Sequence, residues 1–369
     1  MAKQRILQLN LDGTGGAFSL MYQLQLYLKD EYIFDFYWMG KFVHSKKSDN
    51  LENNGSKIYE EDLRKNRLLG HILLPWKFYK FLKSHPYDIV HINADLAYKM
   101  LLYAYPAYKA GVKKIIIHSH SSGVNGDHKS LKLAMHKMCK PFLKTYANTF
   151  LTCSKLASKW MYDDQNYAIM INNGVELEKF KFRLDVRNKI RRDLNLTDQI
   201  LIGTVGNLSF QKYPEFFVDI LKRLPKDKYK GIFVGDGPDR EAIEKYVADN
   251  GVIDQIIFLG NTNHVENVLC AMDIFAMPSR FEGLPVSAIE AQASGLSCFI
   301  SNKITSEVKL LNTCELLPID DPDVWAQAIL QTNINVRKRT DATEVLKKKG
   351  FDIRDSALEL RKIYQSERS

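Results

Sequence analysis

The stretch Pro278-Ser-Arg-Phe-Glu-Gly-Leu-Pro-Val-Ser-Ala-Ile-Glu-Ala-Gln-Ala-Ser-Gly295 decides the fold of this 369-residue chain. It follows the apolar run Ile274 to Met277, which reads as a short buried strand. A turn holding Gly283 and Pro285 then leads into an alanine-rich helix that Gly295 can end. Proline near a helix start costs little, because its missing N–H belongs to an unpaired first-turn position. The N–H groups of that first turn, with the positive end of the helix dipole, accept an anion. Glu282 stands just before the turn and Glu290 inside the helix, eight positions later. A carboxylate beside an anion site needs a partner of its own, and sugar hydroxyls supply one. A phosphate and two sets of hydroxyls at one place suggest a sugar nucleotide.

The spacing Glu-x7-Glu, inside Pro-Ser-x-x-Glu-Gly-x-Pro and followed by Glu-Ala-x-Ala-x-Gly, resembles the signature of the retaining glycosyltransferases of family 4. That resemblance implies that Glu282 lies against the donor sugar and that Glu290 holds the ribose. It also places the donor diphosphate at Gly283, Leu284, Pro285 and Val286, through the main-chain N–H groups of the turn. Without the surrounding motif, the two glutamates would read as exposed acids on an ordinary strand–turn–helix unit.

Upstream, Ile200 to Val205 reads as a strand that runs into Gly206-Asn207-Leu208-Ser209-Phe210-Gln211-Lys212. The family pattern here is Gly-Arg-x-x-x-x-Lys-Gly, whose two cations grip the diphosphate. Gly206 and Lys212 match it, whereas Asn207 stands at the Arg and Tyr213 at the final Gly. A lysine ammonium beside a diphosphate stabilises the charge that forms on departure. Gly235-Asp236-Gly237-Pro238 is also similar to the family, and Asn261 to Asn263 fall where it approaches the base. Glu307 matches an acid of related polysaccharide-making members and receives no role.

In the first half, a strand ending at Leu9 feeds Asp12-Gly-Thr-Gly-Gly16 and then a helix. The turn lacks the G-x-G-x-x-G spacing of dinucleotide binders. By resemblance, Gly15 and Gly16 match the glycine pair that faces the donor diphosphate. A polar stretch up to Asn53-Asn54-Gly55 reads as a loop. Residues 62–83 read as a helix mixing Arg64, Lys65, Arg67, Lys77, Lys80 and Lys83 with apolar residues, kinked or split at Pro75. The buried strand Lys113 to Ile117 is followed by His118-Ser119-His120. Strand ends are where a doubly wound sheet binds its ligand. The resemblance assigns His118 to the reacting sugar, with His120 the competing choice and a hydrogen-bonded loop histidine the plain alternative. Lys129, Lys132, Lys137, Lys140 and Lys144 recur on one broad face of a second basic helix, 128–146, again broken or kinked by a proline, Pro141.

Charge divides unevenly. Residues 1–175 hold 24 Lys and Arg against 14 Asp and Glu, and the remainder 28 against 29. The positive excess of the first half implies an anionic partner there. Two lysine-rich helices with apolar sides favour an anionic membrane surface over a merely solvated face, and nucleic acid is not the expected partner. No run of apolar residues is long enough to span a bilayer. The opening segment is too short and alternating for a signal peptide, and the five scattered cysteines lack metal spacing. A cytoplasmic protein, peripheral at the inner face of the membrane, is the expectation.

Strand–helix alternation in both halves indicates an α/β chain of two doubly wound units. The resemblance makes this the GT-B fold, two Rossmann-like domains facing across a cleft. The expected acceptor-side domain is 1–175, with the last helix in 355–369 packing back on it, and the nucleotide-sugar domain is 176–354. The implied enzyme is a metal-independent retaining hexosyltransferase with a UDP-sugar as donor substrate and no cofactor. Its acceptor is a lipid-linked glycan of a surface polysaccharide, capsule or exopolysaccharide. A UDP-sugar epimerase of the same architecture and a non-catalytic partner subunit are the alternatives. A nicotinamide oxidoreductase is disfavoured by the missing glycine fingerprint.

Overall fold

The computed structural model describes residues 3–63, 67–126, 128–334, 339 and 341–366, and only the backbone of 67 and 68. Arg64 and Lys65 of the first basic helix, the Arg67 side chain and the first two residues of the opening segment therefore lie outside it. The chain divides into two compact units, Met1–Asn173 with Ile353–Ser369, and Gly174–Asp352.

Unit 1 is built on a parallel sheet of β1 (Gln4–Leu9), β2 (Tyr32–Trp38), β3 (Ile58–Glu60), β4 (Ile89–Ala94), β5 (Lys114–Ser119), β6 (Thr149–Thr152) and β7 (Ile169–Met170). Their order is β3-β2-β1-β4-β5-β6-β7. The connecting helices are α1 (Gly15–Leu28), α2 (Lys46–Asn53), α3 (Arg67–Ser84), α4 (Ala97–Ala110), α5 (Lys129–Tyr146) and α6 (Lys155–Tyr162). Both faces are covered, so β4 and β5 are buried along their whole length and neighbouring residues serve opposite layers. Ile6 and Ile116 pack with α1 and the C-terminal helix Ile353–Gln365, whereas Leu7, Ile115 and Ile117 pack under α3, α4 and α5.

Unit 2 has a second parallel sheet of β8 (Ile200–Val205), β9 (Tyr229–Val234), β10 (Ile256–Gly260), β11 (Ile274–Met277), β12 (Ser297–Ser301) and β13 (Cys314–Leu317), in the order β10-β9-β8-β11-β12-β13. Its helices are α7 (Leu184–Asp193), α8 (Pro214–Leu221), α9 (Arg240–Asp249), α10 (Val265–Ala271), α11 (Val286–Ala293), α12 (Pro322–Gln331) and α13 (Thr343–Lys348). The two units are thus the Rossmann-like doubly wound pair expected of the α/β, GT-B class.

Two local readings are corrected, and for the two helix prolines the break falls away as an alternative to a kink. The polar stretch before Gly55 contains α2, started by a capping box in which Ser45 and Ser48 satisfy each other's backbone N–H groups. The proline inside α3 does not split it, and α5 likewise runs unbroken through Pro141. Packing explains this for α3: Leu74, Phe78 and Leu82 are buried on the sheet, which offsets the roughly 3 kcal/mol helix penalty of proline. His118 lies inside β5 rather than beyond it, because the strand extends to Ser119.

The start of β11 is held by a buried charge cluster. Asp273 accepts from Arg187 at 2.6 Å, from Arg191 at 3.1 Å and from the Leu201 N–H at 2.8 Å. Arg187 also donates to the carbonyls of Ala271 and Met272, where α10 ends. Removing one member of a buried, hydrogen-bonded pair strands the other charges. Asp273→Ala is therefore expected to destabilise unit 2 by about 3–5 kcal/mol, read as a lower denaturant midpoint with an unchanged slope.

Candidate active site

In each sheet the strand order reverses once, and the loops leaving the two central strands diverge there. In unit 2 these loops are 206–213 after β8 and 278–285 after β11, on adjacent strands. A doubly wound sheet binds its ligand outside the carboxyl ends of its strands at such a point.

Glycine permits the first loop to close. Gly206 has φ +149°, and a Cβ there would meet the Lys212 side chain at 2.7 Å. A Cβ on Gly235 would meet the Gly206 carbonyl at 2.1 Å, so the 235–238 turn and the 206–208 loop touch through bare backbone. Lys212 is thereby folded back, and its Nζ lies 2.7 Å from Glu282 Oε1. Gln211 Nε2 donates to Glu282 Oε2 at 2.8 Å. The two residues that the resemblance assigns to diphosphate and sugar from separate motifs are thus in direct contact, with Glu282 only 7% exposed.

Asn207 is exposed, and its side chain lies against Gly237. The sequence reading missed Gln211 and Arg280. Arg280 lies over the rings of Tyr213 (3.3 Å) and Phe210 (4.1 Å) and donates to the Phe210 carbonyl at 2.6 Å. Its main-chain N–H donates to the Gln211 carbonyl at 2.8 Å. These contacts tie the two loops together. A variable position between motif residues gave no signal for them.

The turn after Glu282 leads into α11, with Pro285 at the N-cap position and no side-chain cap. Gly283, Leu284 and Pro285 are buried and Val286 is half-buried. Pro285 has no N–H, so the main-chain donors of this turn are Gly283, Leu284 and Val286. Glu290 is half-buried on α11. Two residues on, fully buried Gln292 donates to the Val308 carbonyl and accepts from the Leu310 and Leu311 N–H groups. This fixes α11 to the segment after Glu307, whose carboxylate accepts from Thr305 at 2.8 Å.

In unit 1 the reversal lies between β1 and β4, where Asn10 donates to the Asn93 carbonyl at 2.7 Å. Gly15 and Gly16 begin α1 and are exposed. A Cβ on either would meet nothing within 4 Å, unlike Gly13, where it would meet the Val43 carbonyl at 2.3 Å. Gly15, at φ +75°, has a backbone reason to be glycine, whereas Gly16 has neither a backbone nor a packing reason. His118 is 1% exposed, and its ring lies 3.9 Å from that of His120. His120, just past β5 and half-buried, is the ring placed at the strand end. Burial lowers the His118 pKa well below its usual value, and it lowers those of His120 to about 4 and His91 to about 3.

Residues 186–345 match the family described as Glycosyl transferases group 1, and they are a domain of that kind. The chain is 28% identical over 293 residues to the UDP-Gal:alpha-D-GlcNAc-diphosphoundecaprenol alpha-1,3-galactosyltransferase of Escherichia coli, covering 74% of each. It is 25% identical over 332 residues to the capsular polysaccharide biosynthesis glycosyltransferase CapH of Staphylococcus aureus, covering 86% of each. Among solved structures, Anabaena HepE in complex with UDP and glucose superposes with a TM-score of 0.80 at 16% identity, covering 99% of this chain and all of that one. That likeness extends the shared fold to the whole chain.

The neutral histidines carry a stability consequence. His136 on α5 accepts the Ala97 N–H on Nδ1 and donates from Nε2 to the Trp160 carbonyl; burial lowers its pKa to about 4. A histidine with a lowered folded pKa binds protons first in the unfolded chain, so stability falls as pH drops from about 6.5 towards 4. Each such imidazole contributes up to about 1.4 kcal/mol per pH unit in that window. Thermal unfolding at pH 5 is expected well below that at pH 7. The drop should shrink in His136→Gln, whose amide serves both partners without titrating.

Proposed function

From a chain whose residues 186–345 are a group 1 glycosyltransferase domain, we propose a retaining enzyme that moves a hexosyl unit from a UDP-sugar to a hydroxyl of a lipid-linked glycan in surface polysaccharide synthesis. The observation that carries this reading is the Lys212–Glu282 contact beside the turn into α11. Lys212 and the N–H groups of Gly283, Leu284 and Val286 take the diphosphate and its departing charge, in place of a metal ion. Glu282 turns to the sugar hydroxyls, Glu290 takes the ribose, and Gly206 and Asn207 line the diphosphate side. In unit 1, Gly15 and Gly16 keep the roles the family resemblance gives them, and of the two competing histidines His120, at the strand end, takes the role in place of the buried His118. Retention follows from departure and attack on one face of the sugar. The E. coli relative, whose name specifies a diphosphoundecaprenol-linked acceptor, supports the choice of acceptor.

Two substitutions should separate in opposite directions. Lys212→Ala removes a charge-assisted contact to the diphosphate and is expected to weaken UDP binding about 10- to 100-fold. Glu282→Gln removes a carboxylate beside that anion, so UDP should bind at least as tightly by calorimetry. Turnover with UDP-hexose and a lipid-linked acceptor should nonetheless fall about 100-fold or more, with or without a chelator. Undiminished turnover in both variants would sink the site assignment, and release of an altered sugar without acceptor would point to an epimerase.

The acceptor side is proposed to work against an anionic membrane at the cytoplasmic face. α3 and α5 flank α4 on one face of unit 1. α3 exposes Leu69, Ile72 and Trp76 at helical spacing, and α5 exposes Leu131, Met138 (68%) and Phe142 among its lysines. Lys80 and Lys137 are exposed beside them, whereas Lys132 donates to the Asn125 carbonyl and Lys140 pairs with Asp163. No helix among the described residues is long and apolar enough to cross a bilayer. Apolar side chains interleaved with exposed lysines, Lys80 with its ammonium 3.7 Å over the Trp76 ring, fit an interfacial site. Flotation with anionic vesicles should be lost with neutral vesicles, and should drop several-fold in the Lys80→Glu, Lys137→Glu, Met138→Asp variant. Equal flotation of that variant would remove the membrane claim.

A further inference from the structure

The segment that carries Lys212 ends in a bend that its own sequence opposes. Tyr213 has φ +54° and ψ +55°. Among the described residues, Asn10, His128, Asp163 and Asn195 also have positive φ, and all four are of the types that enter the left-handed region. Tyr213 is a bulky aromatic, for which that region is an outlier. Pro214 follows it, and the residue before a proline is pushed towards extended backbone. A residue held in such a conformation persists only where its surroundings over-determine it.

Those surroundings come from the neighbouring loop. The Arg280 guanidinium lies 3.3 Å over the Tyr213 ring and 4.1 Å over that of Phe210. Its Nη1 donates to the Phe210 carbonyl at 2.6 Å, and its main-chain N–H to the Gln211 carbonyl at 2.8 Å. The same short stretch returns the connection two residues beyond Arg280. Gln211 Nε2 donates to Glu282 Oε2 at 2.8 Å, and Lys212 Nζ lies 2.7 Å from Glu282 Oε1. The chain after the bend has its own anchor, because Phe216, Phe217, Val218, Ile220 and Leu221 of α8 are buried in the unit 2 core. Loss of Arg280 would therefore leave α8 in place and release 210–213.

We infer that Arg280 is a positioning residue that holds Tyr213 in its left-handed bend, and thereby keeps Gln211 and Lys212 directed at Glu282 for turnover of the donor. The inference rests on the glycosyltransferase reading for its effect on turnover, whereas the hold on the bend stands on unit 2 alone. Planarity matters as well as charge: only a guanidinium can stack on two rings and bond a carbonyl at once.

The test compares Arg280→Ala, Arg280→Lys, Tyr213→Gly and the Arg280→Ala, Tyr213→Gly double variant of the full chain. Turnover is measured with UDP-hexose and a lipid-linked acceptor, and loop order by peptide-resolved amide hydrogen exchange, which reports local opening. The Lys212 N–H, bonded to the Ser209 carbonyl at 2.9 Å, is the exchange probe. Arg280→Ala should speed exchange across 210–213 and lower turnover about tenfold, the loss of roughly one hydrogen bond. Arg280→Lys should fall with it. Glycine adopts the bend freely but gives up the Tyr213 ring, which packs on Phe216 at 5.3 Å. In the Tyr213→Gly background the Arg280→Ala loss should therefore shrink about threefold or more, the coupling of residues in contact. A purely structural role predicts the reverse, a double variant worse than either single one, and that result overturns the inference. Wild-type exchange in Arg280→Ala, or faster exchange with undiminished turnover, overturns it too. Absence of calorimetric UDP binding to the unaltered chain would instead remove the glycosyltransferase reading, and the exchange data would still decide whether Arg280 holds the bend.

Discussion

The reversal of strand order between β8 and β11 is the constraint on which the candidate site depends. Chain leaving β8 turns towards β9, and chain leaving β11 turns towards β12, so two loops part above adjacent strands and expose backbone between them. Most of what is assigned to the donor in unit 2 sits on those loops, with Val286 and Glu290 on α11 just beyond the second. Gly206 lets Lys212 fold back, Gly235 and Gly237 let a third turn press against the 206–208 loop, and Arg280 ties 278–283 to 210–213. Beneath them, Asp273 anchors β11 to β8 and α7, so the loop that carries Glu282 starts from a fixed strand.

The strands of unit 2 were legible because their runs are short, apolar and bounded by glycine or polar residues. β8 and β11 begin and end where the pattern places them. Ser154, directly before α6, is its N-cap and accepts from the Ala157 N–H. What could not be read is what tertiary packing decides. The helix at 46–53 is polar almost throughout and depends on its capping box. The helices that continue through proline depend on buried neighbours. Gln292 and Gln211 act through partners 16 to 71 positions away, which no local period records.

His118 shows the same limit at a candidate site residue. The apolar run before it reads as the whole strand, but pairing of β5 with β4 continues through Asn93–His118 and Ala94–Ser119. One further pair of ladder positions is enough to move the imidazole from a strand tip into the sheet, where Tyr364 closes over His91 from the other end of the sequence. His118 and His120 share a face because they are two apart, so the inner ring supports the outer one. A motif of histidines separated by a serine contains both, and the sheet register decides which is accessible.

The Lys212–Glu282 pair has a charge logic that the bare motif does not express. A lysine waiting alone in a backbone-lined crevice, or a carboxylate buried alone beside it, would each be costly. In contact at 2.7 Å they are locally neutral. On the proposed function, a diphosphate entering this crevice would bring two negative charges, and Glu282 would become a liability unless its oxygens found new donors. Gln211 supplies one N–H, and the hydroxyls of an attached sugar would supply the rest. A nucleotide without its sugar would leave that carboxylate poorly served, so on this proposal the pair favours the intact donor over the spent nucleotide.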